Sequence, residues 1–266
     1  MRQEAIFNVL LRENHATVRA LADRFQVSPM TIYRDLQDLE SRQLIIRTVG
    51  GAMIRPNTQF GKRWSERNGP QSSIKQKLGL ATAALLQAGQ TVIFDAGTTI
   101  LEVARHVPPD MSLTAVTNSL PTAAVLGEME QVRVLIPGGQ YNPTTGSILG
   151  IFSTTFLKQI NADICLLSTA SMHIEQGLGN FSMESVAVKR TMIARSKKVI
   201  LVGDYSKFQQ TALLTVAPID AVHVVVTDDR MPQKEHERLD QMGIQTITVP
   251  YSSSESTHWS PVDALL

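Results

Sequence analysis

The chain of 266 residues is poor in several things at once: it has one cysteine, two tryptophans, aromatics at 5%, and no surplus of charge, with 25 Lys/Arg against 24 Asp/Glu. The single cysteine, Cys165, excludes an intrachain disulfide. Its place in the run Ile164-Cys165-Leu166-Leu167 reads as a small buried hydrophobe. No Cys/His cluster has zinc spacing, so no metal and no cofactor is expected. Glu235-His236-Glu237 lacks the second histidine one turn away that a helical metal site needs. No apolar run approaches ~20 residues, so no membrane span is expected. The N-terminus is charged from Arg2 and Glu4 onward, unlike a secretory signal, and the expected compartment is the cytoplasm.

What is present is a globular balance, 43% apolar and 18% charged, too apolar for a mostly disordered chain. The length suggests one or two domains. The near-zero net charge conceals an asymmetry: residues 1–67 hold 11 Lys/Arg and 7 Asp/Glu, residues 68–266 hold 14 and 17. A small basic piece precedes a larger acidic one.

The basic piece opens with Ile6, Val9, Leu10 and Leu11 at helical spacing. After the polar break Asn14-His15-Ala16, Thr17 is a good N-cap, and Val18, Leu21, Ala22 and Phe25 mark a second short helix. Ser28-Pro29 starts a third, with an N-cap and then proline at the first helical position. Its stripe Ile32, Leu36, Leu39 faces inward, and Met30, Thr31, Tyr33 and Arg34 face outward. This is the pattern of a helix-turn-helix, whose second helix enters the major groove by its N-terminal end. The strand Leu44–Thr48 and the pair Gly50-Gly51, supplying the positive φ angles of a tight hairpin, read as a wing. The expected DNA contacts are Ser28, Pro29, Met30, Thr31, Tyr33 and Arg34, then Arg47, Thr48 and Gly50 of the wing. Asp35 would repel phosphate and is expected to pair with an arginine.

The segment Val27-Ser28, Thr31-Ile32-Tyr33-Arg34-Asp35-Leu36, Leu39-Glu40 and Arg47-Thr48-Val49-Gly50-Gly51-Ala52 resembles the DeoR family of bacterial transcriptional regulators. Tyr33 stands where that family commonly has arginine, and Val49 where it commonly has histidine, changes that bear on operator preference.

Pro, Asn, Gly, Gln and Ser enrich residues 55–73, which marks a linker. The expected organisation is a winged helix-turn-helix at 1–57, a linker at 58–72, an α/β domain at 73–251 and a flexible tail at 252–266. In the third part helices and strands alternate. Strands are expected at Thr91–Phe94, Leu113–Val116, Val132–Ile136, Ile164–Leu167, Val199–Val202, Ala221–Thr227 and Thr246–Val249. Helices are expected between them, Ser147–Gln159 being read as mostly helical. Such alternation argues for a mostly parallel sheet with helices on both faces.

Ligands of such sheets sit outside the carboxyl ends of the strands. Four strands here end in suitable chemistry: Asp95-Ala96-Gly97-Thr98-Thr99, Thr117-Asn118-Ser119, Pro137-Gly138-Gly139 and Gly203-Asp204-Tyr205-Ser206-Lys207. Together they suit a phosphorylated polyol: phosphate at Gly97, Thr98 and Thr99 on a helix N-terminus, hydroxyls at Asp95, Asn118 and Asp204, and a charge contact from Lys207. These stretches, with Glu184 followed by Lys189-Arg190 and with basic Arg67 and Lys75, also resemble the DeoR family's C-terminal sensor domain. The resemblance covers about residues 5–250. It implies a regulator, often a repressor, whose DNA binding answers to a phosphorylated sugar. It also implies a fold related to ribose-5-phosphate isomerase, assembly as a homo-oligomer (dimer or tetramer), and effector contacts at Asp95, Gly97, Thr98, Thr99, Thr117, Asn118, Gly138, Gly139, Glu184, Asp204 and Lys207. The loop Ser168-Thr169-Ala170-Ser171-Met172-His173 departs from the family pattern. The alternative is a sugar-phosphate isomerase-like enzyme with an appended DNA-binding module, with Glu184, Asp95 or His173 as its base.

Overall fold

The computed structural model describes residues 2–13, 15–42, 44–54, 72–210 and 212–251. The linker expected at 58–72, apart from Ser72, and the tail expected at 252–266 lie outside the described residues, as do Trp64, Arg67 and Trp259.

The N-terminal unit runs α1 (Arg2–Glu13), β1 (His15–Thr17), α2 (Val18–Phe25), α3 (Pro29–Ser41), β2 (Ile45–Thr48) and β3 (Gly51–Ile54). Thr17 caps α2 by accepting the Ala20 N–H at 3.1 Å, and Ser28 caps α3 by accepting the Thr31 N–H at 3.2 Å. Between the helices Gln26 adopts φ +53°, and the Val27 N–H returns to the Ala22 carbonyl. That left-handed residue turns the chain sharply enough for α2 and α3 to pack against each other. The stretch read as a polar break contains β1, which pairs antiparallel with β3 in a sheet of order β1-β3-β2. Three residues are too few to show alternation. The two wing glycines also divide their work. Gly50 has φ +76°, whereas Gly51 is not in a left-handed conformation; a Cβ there would stand 2.4 Å from the Ala16 carbonyl oxygen, so the close approach of β1 requires glycine.

The second unit continues through α4 (Ser72–Ala83), β4 (Thr91–Phe94), α5 (Thr98–Arg105), β5 (Leu113–Thr117), α6 (Leu120–Gly127) and β6 (Val132–Leu135). A hairpin of β7 (Gln140–Asn142) and β8 (Ser147–Leu149) precedes α7 (Ile151–Leu157) and β9 (Ala162–Leu167). Then come β10 (Ser171–His173), β11 (Gly177–Asn180), α8 (Met183–Ala194), β12 (Ser196–Val202), β13 (Leu214–Ala217), β14 (Val224–Asp228), α9 (Gln233–Gln241) and β15 (Gln245–Val249). The stretch 147–159, expected to be mostly helical, is thus a strand and a shorter helix, divided at Gly150 with φ +104°. The expected strand at 221–227 begins at Val224, because a 3-10 turn occupies Ile219–Ala221.

The main sheet has seven parallel strands in the order β15-β14-β12-β9-β4-β5-β6. Alternate residues of each strand feed two cores. Val92, Phe94, Ile164 and Leu166 pack with Leu78 of α4, Ile100 of α5 and Leu126 of α6. Ile93, Cys165 and Leu167 pack with Leu157 of α7, Met192 of α8 and Leu239 of α9. Burial pushes the Cys165 thiol well above its ordinary pKa, helped by the negative charge of Asp95, so it stays an unreactive core residue. Helices α4 and α5 approach closely at Gly79, where a Cβ would meet the Glu102 carbonyl carbon and oxygen at 2.7 Å. Gly79→Ala is expected to lower stability by about 1–3 kcal/mol, read as a lower urea midpoint at unchanged slope. An unchanged midpoint would show that this contact is not tight.

Candidate functional site

Two places carry chemistry. The first is the outer face of α3 with the wing. Met30 is 62% exposed and Arg34 is exposed beside it, while Ile32, Leu36 and Leu39 are fully buried beneath. Asp35 is buried and paired with Arg2 (Nε to Oδ2, 2.5 Å), which takes its charge off the outer face as the sequence suggested. Pro29 holds the first helical position, and the Ser28 and Thr31 hydroxyls bond each other at 2.9 Å. The Arg47 guanidinium lies over the Tyr33 ring, 5.1 Å from its centroid, and joins wing to helix. Arg47 Nε is buried with no hydrogen-bond partner among the described residues. Thr48 Oγ1 lies 3.3 Å from His15 Nε2, and the wing tip projects Val49 and Gly50 into solvent.

The second place is a polar crevice, and the strand order explains where it lies. From β4 the chain lays down β5 and β6 on one side, then returns to place β9, β12, β14 and β15 on the other. The connections on the two sides of the β4–β9 pair therefore lead to helices on opposite faces, which makes a topological switch point, where α/β sheets bind ligands. At the end of β4 sits Asp95, 1% exposed. Its Oδ2 accepts the Ser168 N–H from the end of β9 at 3.0 Å and pairs with the Lys189 ammonium of α8. Lys189 also donates to the Ser168 carbonyl at 2.7 Å. Next comes Gly97, which caps α5 without any side-chain hydrogen bond, so the first N–H groups of that helix face the crevice uncapped.

Asn118 is 1% exposed. Its Nδ2 donates to the Ile148 carbonyl at 3.2 Å, which fixes the amide and tethers the β7–β8 hairpin. Its Oδ1 has no partner among the described residues, and neither has the buried Thr169 hydroxyl. Both line the crevice.

Of the residues picked out by sequence, the structure brings Asp95, Gly97, Thr98, Thr99, Asn118, Asp204 and Lys207 together around this crevice, with Lys75 from α4. Four others are placed elsewhere. Thr117 is fully buried, and its hydroxyl accepts the Ser119 N–H, a turn contact. The Gly138 carbonyl accepts from Ser153 Oγ. Gly139 packs against β8, where a Cβ would stand 2.4 Å from the Leu149 carbonyl oxygen. Glu184 is exposed on α8, and it is Ser185 that lines the crevice. The loop 168–173, singled out in the sequence as a departure from the family pattern, lines the crevice at Ser168 and Thr169, whereas sequence reasoning missed Thr145 and Ser147 on the hairpin and Asn180 at the end of β11. The missed three carried no local signal, because neither the hairpin nor β11 was among the expected strands. Asp204 is anchored from outside: it accepts the Ser206 N–H at 3.1 Å, and Arg230 stands 3.7 Å away. Burial by itself would raise the Asp228 carboxyl, but Arg230 and the Tyr205 N–H outweigh it and hold it below the usual range.

The family model of the DeoR-like helix-turn-helix domain matches residues 2–58, and that of the DeoR C terminal sensor domain matches residues 71–229. The chain belongs to the DeoR family. The HTH-type transcriptional regulator GlpR of Haloferax volcanii is 32% identical over 92% of this chain and 96% of its own. The glycerol-3-phosphate regulon repressor of Escherichia coli K12 is 31% identical over 87% of this chain and 91% of its own. Ribose 5-phosphate isomerase A of Methanocaldococcus jannaschii aligns over 52% of this chain and 54% of its own at 11% identity and TM-score 0.39, too remote to carry an argument. As a DeoR-family member the chain is a DNA-binding transcriptional regulator, and the H. volcanii and E. coli relatives bear the names of a transcriptional regulator and a repressor rather than of an isomerase. Among the described residues no helix is long and apolar enough to cross a membrane.

Proposed function

We propose that this DeoR-family protein is a cytoplasmic repressor of a carbohydrate-metabolism operon, and that a phosphorylated sugar in the β4–β9 crevice modulates its grip on operator DNA. The observation that carries the effector reading is the orphaned Asn118 Oδ1. With Nδ2 committed to Ile148, this oxygen can only accept, so the occupant must bring a donor such as a sugar hydroxyl. A buried acceptor left unpaired costs about 1–3 kcal/mol, which a hydroxyl-bearing ligand recovers. The uncapped start of α5 suits a phosphate, and Lys75 and Lys207 add positive charge to the same crevice. The name of the E. coli relative, a glycerol-3-phosphate regulon repressor, agrees with this reading. A thermal-shift panel of sugar phosphates and polyol phosphates tests it, since a ligand that binds only the folded state raises the melting temperature. A panel in which none raises it, inorganic phosphate included, would overturn the effector assignment.

On the DNA side Arg34, Tyr33, Met30 and the capped start of α3 enter the major groove, and Arg47, Thr48 and Gly50 meet the backbone beside it. Two-fold operators are read by paired heads, which argues for an even homo-oligomer. Arg34→Ala is expected to weaken operator binding by about 1–3 kcal/mol, roughly 5- to 150-fold, with an unchanged circular dichroism spectrum. Unaltered operator affinity would remove Arg34 from the recognition face.

A further inference from the structure

The hydrophobic core of the DNA-binding head does not stop at the head. Ala170, Phe181 and Leu213 of the α/β domain are buried in the same cluster as Ile6, Phe7 and Leu36. Phe7 of α1 stacks on Phe181 with ring centroids 5.0 Å apart and planes inclined by 19°. Glu4, one turn earlier on α1, accepts the Met183 N–H at 2.8 Å, placing a carboxylate on the N-terminus of α8. At the far end of α3, Arg42 donates to the Leu213 and Ala212 carbonyls. The first two contacts fall on the corner from β11 into α8, and the third on the residues leading into β13, which pairs with β11 in a small antiparallel sheet of order β10-β11-β13.

The same corner walls the effector crevice. Ala170 belongs to both the crevice and the head's core. Asn180 lines the crevice, and its neighbour Phe181 lies beneath Phe7. Ser185 and Lys189 face the crevice from the first two turns of the helix whose leading N–H is held by Glu4. The partition between effector and head is therefore about one residue thick. Docking leaves Met30, Tyr33 and Arg34 exposed, so the docked head can still meet DNA.

We propose that Phe181 and Glu4 are positioning residues: they fix the head in its operator-reading orientation, and an effector acts by drawing the Asn180–Ser185 corner away from them. The inference rests on the effector reading of the crevice and names how that site is regulated. Operator binding needs heads held at a set spacing and angle, so a head released from this seat binds a two-fold operator more weakly. Linkage then requires the converse. A protein whose seat is already broken binds effector more tightly, because the ligand no longer has to break it.

Glu4→Ala tests this in the full-length protein without touching a core side chain, and Phe181→Ala removes the stacked ring. Operator affinity is measured without ligand, and affinity for D-fructose 6-phosphate, D-glucose 6-phosphate and glycerol 3-phosphate is measured by calorimetry. Both variants are expected to bind operator at least about fivefold more weakly and the best-binding phosphate more tightly, within the usual range of such couplings. The sign for Glu4→Ala is discriminating: removing an acidic group from a DNA-binding head would by electrostatics alone strengthen DNA binding. Operator affinity unchanged or increased in Glu4→Ala overturns the positioning role. A phosphate that binds wild type and variants equally, while releasing all of them from operator by the same factor, overturns the coupling. If no phosphate binds any form, the effector reading of the crevice fails, and the ligand-free operator measurements still decide whether the seat positions the head.

Discussion

Lys189→Ala is expected to destabilise the protein by about 3–5 kcal/mol, a large part of what a domain of this size has to lose. The lysine and Asp95 are both inside, with side-chain exposures of 7% and 2%. Without Lys189, the Asp95 carboxylate at the switch point keeps the Ser168 N–H but loses the ammonium paired with it. A buried charge stripped of its partner is far less favourable than a pair removed together, so Asp95→Asn combined with Lys189→Met should recover most of the loss. Urea denaturation of Asp95→Asn, of Lys189→Met and of the double variant measures this as a double-mutant cycle, with Lys189→Ala measured beside them. If Lys189→Ala melts at the wild-type urea concentration, the pair does not hold the crevice together. The double variant is then useful in its own right, because it keeps most of the wild-type stability while changing the charge the effector meets.

Thr98→Asp is expected to weaken phosphate-bearing effectors by about 10²–10³-fold, leaving operator binding intact and unresponsive. Two unit charges about 4 Å apart interact by ~4 kcal/mol at an effective dielectric of 20, a factor near 10³. The same aspartate sits in the first turn of α5, where a negative charge stabilises a helix by about 0.3–1 kcal/mol. Stability and effector response should therefore move in opposite directions, which separates lost binding from lost folding. Calorimetry with the phosphate found by the thermal-shift panel gives one arm, and operator release by that phosphate gives the other. A Thr98→Asp protein that still lets go of its operator at the wild-type effector concentration would place the phosphate elsewhere.

These two positions were legible to different degrees. Thr98 announces itself locally: an apolar strand, then Asp95-Ala96-Gly97-Thr98-Thr99, then a helix, the order that leaves a helix N-terminus open at a strand end. Lys189 enters the sequence reading only through the match of Glu184 and Lys189-Arg190 to the family, with no partner in view. Its role depends on α8 packing beneath β9 with its ammonium against Asp95, a residue 94 positions away. Gly138-Gly139 shows the opposite error. It ends a strand in the right chemistry, yet the glycines serve contacts to Ser153 and β8, because β7 and β8 fold over the sheet there.

The sequence by itself determined the DNA-binding head, the alternation of strands and helices, and the open start of α5. Caps, apolar spacing and turn residues act within a few positions of one another, and that is the range over which a sequence is directly readable. Only the tertiary structure decided that β9 lies beside β4 and makes the crevice, that Asn118 presents an unpaired acceptor there, and that Phe7 rests on Phe181 behind the crevice wall. Those placements join residues tens to well over a hundred positions apart. They follow from how the whole chain buries its apolar faces, which no local pattern encodes.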